Sequence, residues 1–356
     1  MPRIRNISLW ILAALLLLAP AKALASGHEA SEPGELDMQS YLFGHVGDAY
    51  EWHITTVGEH HITIPLPCIV IDDGLHVFLS PRMEENGYTL NEDGKLVNAA
   101  SGERPIDISI TKNVFSLFLS SILLVALILW TASWYRNHDV MKEAPRGFAG
   151  LMEMLITMVT DDIIKEGVGK DYEKYAPYLL TAFFFIFLNN LLGIVPFFPG
   201  GANVTGNIAV TLCLALCTFL AVNLFGNKHY YKDIFWPDVP TWLKVPLPLM
   251  PLIEIIGIFT KPFSLMIRLF ANILAGHIMI LGVVAVIFLT VKLGPALNGS
   301  MTVISVLFGV FMDVLELLVA FIQAYVFTML SSVFIGLSRM EPEEGHEQKQ
   351  LKTTNN

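Results

Sequence analysis

Arg268 stands in SLMIRLFANILAGHIMILG, residues 264–282, a stretch otherwise apolar or small. A guanidinium keeps its proton, with a pKa above ~12. Holding one at bilayer depth costs roughly 2.5–3.5 kcal/mol. Helix arithmetic, at 100° and 1.5 Å per residue, relates it to the other polar groups of the two longest apolar runs. Glu254, Lys261 and Arg268 recur every seven residues, so each step turns only about 20° and all three share one stripe. Asn272 lies one turn beyond Arg268, and Ala271 and Ala275 flank the stripe, where their small side chains let another helix approach. His277 points about 180° away from Arg268 and ~13 Å further along. In the last run Glu316 precedes Gln323 by seven residues, on the same face and ~10 Å nearer the outside. If Arg268 and Gln323 share a depth, His277 and Glu316 meet at one outer depth on antiparallel helices. Glu254 then falls ~21 Å to the inner side. Titratable groups outside, a permanent cation at the middle and an acid inside describe two half-paths separated by an electrostatic plug. A purely structural ion pair would require an acid beside Arg268, and none lies within a turn of it.

The elements that carry these groups are membrane helices. The chain has 356 residues, is 54% hydrophobic and 15% charged, and has a mean hydropathy of +0.57. Several apolar runs reach the ~20 residues that cross a bilayer. Spans are expected at about 114–134, 177–196 and 207–226, followed by two runs at 252–291 and 299–338. Helices of that length extend about 55–60 Å, almost twice the hydrocarbon thickness, so they must tilt strongly or lie nearly flat. Residues 147–174, with Asp161, Asp162 and Glu166, read as an amphipathic stretch along the inner surface. Arg136, Lys142 and Arg146 after the first span, Lys228, His229 and Lys232 after the third, and Arg339 after the last mark the cytoplasmic side. The fold class is an all-α polytopic membrane protein of about five mature transmembrane helices, two of them long and strongly tilted.

A different segment precedes them. Arg3 and Arg5, the apolar core Ile7–Ala19 and Ala23-Leu24-Ala25 form a signal peptide over residues 1–25. Residues 26–112 alternate like strands (EWHITTV, HHITIP, CIVI, LHVFLS, then YTLNEDGKLVNA with an Asp93-Gly94 turn) and form a small β-rich exported segment. The transmembrane domain covers 113–340, and 341–356 form a cytoplasmic tail. The localisation expected is a bacterial inner membrane, multi-pass, with the N-terminal segment outside.

Nothing basic enough for nucleic acid appears, and no phosphate-binding loop is present. Cys68, Cys213 and Cys217 make no disulfide framework. Cys213 and Cys217, four residues apart, read as small core residues. His45, His53, His60, His61 and His76 lack metal-ligand spacing and read as solvated strand residues. No metal or cofactor is expected. Asn189, Asn190, Asn207 and Asn223 either line a wet path or bond between helices.

At these residues the chain resembles subunit a of the F-type ATP synthase, the membrane stator of the rotary motor. The resemblance runs over roughly 113–338 and rests on Thr-Lys-Pro-Phe-Ser at 260–264, Arg-Leu-Phe-Ala-Asn at 268–272, Ala-Gly-His at 275–277 and Gln-Ala-Tyr-Val-Phe at 323–327, with Asn-Asn-Leu-Leu-Gly-Ile-Val-Pro at 189–196. It implies that Arg268 is the essential arginine facing a carboxylate on each c subunit of the rotor ring, with Asn272 and Gln323 as its polar neighbours. It implies that His277 and Glu316 form the outer half-channel pair, in the histidine-first order of the mitochondrial form. Glu254 and Ser264 match inner half-channel positions. The partners implied are the ring, peripheral stalk subunits b, the catalytic head through the stalk, and lipid; the subunit itself makes no ATP. The linker KLGPALNGSM is longer than in short bacterial members, and the exported segment is large for the family core.

Two other classes fit less well. A secondary transporter or passive proton channel commonly shows internal repeats and a mid-membrane solute site, and no repeat is visible here. An envelope scaffold anchored by its β-rich segment has no use for Arg268.

Overall fold

A computed structural model describes residues 47–57, 60–91, 94–139, 143–195, 200–235, 249–291 and 294–340. The signal-like segment, residues 26–46, the stretch 236–248 and the tail from 341 lie outside the described residues. Seven strands come first: β1 Glu51–Val57, β2 His60–Pro65, β3 Pro67–Ile71, β4 Leu75–Leu79, β5 Tyr88–Leu90, β6 Leu96–Asn98 and β7 Ile106–Asp107. Helices follow: α1 Lys112–Asn137, α2 Phe148–Met158, α3 Tyr172–Ile194, α4 Ile208–Leu224, α5 Lys228–Phe235, α6 Leu249–Thr290 and α7 Pro295–Arg339. The chain is a polytopic helical protein with a β-rich N-terminal segment. Four helical stretches are long and apolar enough to cross a membrane (112–137, 148–194, 252–290 and 297–339), and α4 is a shorter apolar helix. The described residues fall into two compact units, one within 1–119, 192–204 and 274–318, the other within 120–191, 205–273 and 319–356.

In the first unit the strands make three small antiparallel sheets: β1-β2, β4-β3-β7 and β5-β6. Alternation puts Cys68 and Val70 of β3 on the inner face, with Tyr50, Phe78, Met83, Tyr88 and Leu96 completing the core. Phe78 and Tyr88 stack with centroids 5.5 Å apart. Gly94, at φ 67, supplies the left-handed residue after β5 that returns the chain to β6; Asp93 lies outside the described residues. Burial pushes the Cys68 thiol up to about 11, which leaves it an inert core residue. The Tyr50 hydroxyl donates to Asp107. Burial alone would raise the Asp107 carboxyl, but hydrogen bonds from Ser109 and Tyr50 outweigh it and hold it below the usual range. The segment is fastened to the start of α1: the Lys112 N–H donates to the Ala49 carbonyl (2.8 Å), the Asn113 N–H to Asp48 Oδ1 (3.0 Å), and Trp52 meets Phe115 edge-on at 5.7 Å.

In the second unit the apolar core gathers Leu179, Phe183 and Ile186 of α3, Leu265, Met266 and Leu269 of α6, and Ala324, Phe327 and Ile335 of α7. The stretch after α2 is amphipathic, as expected, with Asp161, Asp162 and Glu166 exposed. It winds as a π-helical turn, Val159–Lys165, and its apolar side (Val159, Ile163, Ile164, Val168) enters this core. Two glycines permit that approach. A Cβ on Gly336 would collide with the Gly167 carbonyl oxygen, and one on Gly167 with the Ser332 side chain. Ser332 Oγ also donates to the Ile163 carbonyl (3.2 Å). Gly336→Ala is therefore expected to lower the heat resistance of the detergent-solubilised protein, by about 1–3 kcal/mol on the scale of overpacked cores. Gly257→Ala, whose Cβ meets nothing within 4 Å, should leave it unchanged. Equal melting profiles for the two variants would contradict this account of the crossing.

Cys213 and Cys217 are not core residues, as expected from the sequence, but exposed. In a helix bound for lipid the apolar positions face outward as readily as inward, so apolarity alone does not separate core from surface.

Candidate functional site

One face of α6 builds the first part of the site. Leu265, Met266, Leu269 and Ile273 are buried, each 5% exposed or less. Between them, at three- and four-residue spacing, Phe259, Phe263, Ser264, Ile267, Arg268, Ala271 and Asn272 are exposed. Arg268 thus sits on an outward surface otherwise formed by residues such as Phe263 (60% exposed) and Ile267 (41%). The sequence reading buries this charge; the fold instead presents it at the surface of the chain. Among the described residues it has no hydrogen bond or ion pair. A permanent cation on a largely apolar helix face is costly in a membrane unless a counter-charge meets it.

The other groups of this unit are placed differently. Ser264 and Asn272 share the exposed face with Arg268, Glu254 is half-buried, and Gln323 is buried at 4% exposure without a hydrogen bond to Arg268. Lys261 lies 5.6 Å from the Phe334 ring centroid, a cation–π contact that accounts for its charge locally.

In the first unit His277 and Glu316 come together. His277 Nδ1 lies 2.8 Å from Glu316 Oε1, with side chains 17% and 5% exposed. The two side chains approach closely without an aligned hydrogen bond, and neither Glu316 carboxylate oxygen has a hydrogen-bond partner among the described residues. Two glycines lie against the pair, and at Gly276 the fit is tight. A Cβ on Gly276 would stand 3.1 Å from Glu316 Oε1, and one on Gly193 would stand 3.6 Å from His277 Nε2. A second contact, Thr290 Oγ1 donating to Asn298 Oδ1 (3.0 Å), fixes these stretches of α6 and α7 as antiparallel. An imidazole against a buried carboxylate that retains a free oxygen can accept and release protons. The sequence reading passed over Gly276, Gly193 and Asp313, the acid three residues before Glu316. The i, i+3 spacing of the two acids is the signal that marks Asp313.

Each of the four asparagines makes at least one hydrogen bond, and Asn189 Oδ1 is buried without a partner among the described residues. Asn190 Nδ2 donates to the Ala320 carbonyl (3.3 Å) and its Oδ1 accepts from Thr205 (2.6 Å). Asn207 caps α4 by accepting from the Ala209 N–H. Asn189 and Asn223 each donate to a carbonyl four residues back, at 2.8 Å. The His76 ring lies 3.1 Å from the Asp72 carbonyl oxygen. His45 lies outside the described residues, as do the side chains of His53, His60 and His61.

Comparison with known proteins places these groups in one matched region. The ATP synthase A chain family matches residues 117–336, and a family described as Domain of unknown function (DUF8433) matches 41–114. The ATP synthase subunit a of Pelodictyon phaeoclathratiforme is 44% identical over 248 residues, 68% of each chain. That of Chlorobium phaeobacteroides is 40% identical over 277 residues, 76% of this chain and 77% of its own. That of Myxococcus xanthus is 42% identical over 267 residues, 73% of this chain and 80% of its own.

Proposed function

Because the chain belongs to the ATP synthase subunit a family, a multi-pass membrane component of that complex, we propose that it is the stator through which protons cross the membrane. In this reading two half-paths are separated by Arg268, which faces a carboxylate on each c subunit of the rotor ring. The observation that carries it is the pairing of two features. One is a cation on a largely apolar exposed face of α6, with no hydrogen bond or ion pair among the described residues; the other is His277 against the buried Glu316. A ring carboxylate reaching Arg268 is favoured ionised, and one turned into lipid is favoured protonated. Each charge moved across the membrane supplies ~2.3 kcal/mol per 100 mV to turn the ring. In this reading Asn272 and Ser264, on the same exposed face as Arg268, and Gln323 are its polar neighbours, and Glu254 takes the inner end. The chain performs no bond chemistry itself; the catalytic head does so, linked through peripheral stalk subunits b. Co-purification with a ring of small hairpin subunits, and a lowered yield of ring on substituting the exposed α6 face, test the assignment. A chain recovered intact without any ring would overturn it.

The orientation proposed puts residues 26–112 outside a bacterial inner membrane, after removal of 1–25, and the tail from 341 inside. Support comes from three helix ends tied together in the second unit. Arg339, at the end of α7, donates to Asp171 just before α3 and to the Phe225 carbonyl just after α4 (3.0 Å). A cysteine introduced at residue 350 is expected to resist an impermeant thiol reagent in intact cells and to react in inverted vesicles. Labelling of that position from outside would reverse the topology.

A further inference from the structure

Between its start and Glu316, α7 is apolar on most sides: Val303, Ile304, Leu307, Phe308 and Phe311 are all exposed. One sector differs. Taking Glu316 as zero, Asn298, Thr302, Ser305 and Gly309 project within about 40° of it at 100° per residue, as does one apolar residue, Met312, and Asp313 projects within about 60°. The sector runs ~27 Å from Asn298 to Glu316. Asn298 is met there by Thr290 of α6 (3.0 Å). A Cβ on Gly309 would find nothing within 4 Å, so space lies open beside the helix midway along the sector. At its end stands Glu316, 6% exposed, with Oε2 unpartnered among the described residues. Asp313 is half-buried, one turn and ~4.5 Å before it. A second carboxylate in a membrane helix is costly, and the proton-exchanging pair already has its acid and its imidazole.

We propose that Asp313 is the entry carboxylate for the His277–Glu316 pair, reached by water along the Asn298–Thr302–Ser305–Gly309 sector of α7. This rests on the stator reading above. The Asp313 carboxylate takes a proton from hydronium, leaving water. It passes that proton to the Glu316 carboxylate, directly or through one water, and returns to its anionic form to be loaded again. His277 draws on Glu316 from the other side. Gly309 leaves the gap that water occupies at the midpoint.

The test uses the whole complex in proteoliposomes, with Cys68, Cys213 and Cys217 replaced so that introduced thiols report alone. Asp313→Asn is expected to slow proton flux at least about tenfold, less than the roughly 10²-fold or more expected for loss of a group of the relay itself. Asp313→Glu should keep most of the rate. A cysteine at Gly309 should react with a small impermeant thiol reagent added on the side of the α6–α7 linker, and the reaction should slow the flux. Wild-type flux in Asp313→Asn overturns the proposal, whatever the labelling. Should Asp313→Asn fail to assemble, Gly309→Cys decides alone: reaction from that side supports the route, and no reaction overturns it. His277→Ala separates the two layers. Flux lost there but normal in Asp313→Asn removes only Asp313, whereas normal flux in His277→Ala removes the stator path itself.

Discussion

Replacing His277 and Glu316 together is expected to slow proton flow little more than replacing either one. His277→Ala and Glu316→Ala should each reduce flux roughly 10²-fold or more, the range of a positioned proton-transfer group. Both effects come from one relay, because the imidazole stands 2.8 Å from a carboxylate that is itself 6% exposed. A proton on the imidazole has the adjacent carboxylate as its neighbour on the path, so losing either group interrupts the same route. The contrasting case is a contact that only joins two helices. It would be worth roughly 1 kcal/mol, and its loss would reduce assembly while flux per assembled complex stayed normal. Exchanging the residues, His277→Glu with Glu316→His, should restore part of the rate. A double variant whose loss is the product of the two single losses would contradict a shared relay.

Much of this arrangement was legible before any coordinates. Residues seven apart on an α-helix stay on one face, so Glu316 could be placed along its helix from numbering alone. Matching that depth on the neighbouring run led to His277. Strand alternation and the turn at Gly94 likewise located the β-rich segment, since a period of two is hard to mistake over EWHITTV or LHVFLS. What escaped has a common cause. In a membrane helix, apolarity does not distinguish a core face from a lipid face, so Cys213 and Cys217 were placed inside although they face out. For the same reason, the outward direction of Arg268 is set by Leu265, Leu269 and Ile273 packing inward, which only the assembled helices reveal. The burial of Val159, Ile163 and Ile164 depends on Gly167 meeting Gly336, residues far apart in sequence. Asp313 needed no coordinates, only attention to its spacing from Glu316.

Arg268→Ala is expected to abolish ATP synthesis coupled to proton flow while leaving the complex assembled. The side chain points away from the core and makes no hydrogen bond or ion pair among the described residues, so shortening it removes no packing the fold needs. What it removes is the charge that drives a ring carboxylate to release its proton and that blocks protons from passing straight between the half-paths. Lysine should substitute poorly. An ammonium desolvated at a subunit interface can lose its proton, whereas a guanidinium keeps it. Asn272 and Ser264, on the same face, carry no charge, and their alanine variants should retain partial coupling.

The most direct measurement is ATP synthesis in proteoliposomes energised by an imposed pH gradient and potential, comparing wild type with Arg268→Ala at equal amounts of assembled complex. The account predicts no coupled synthesis in the variant, with proton leak through the membrane sector as large as or larger than in wild type once the catalytic head is removed. Coupled synthesis near the wild-type rate in Arg268→Ala would contradict it.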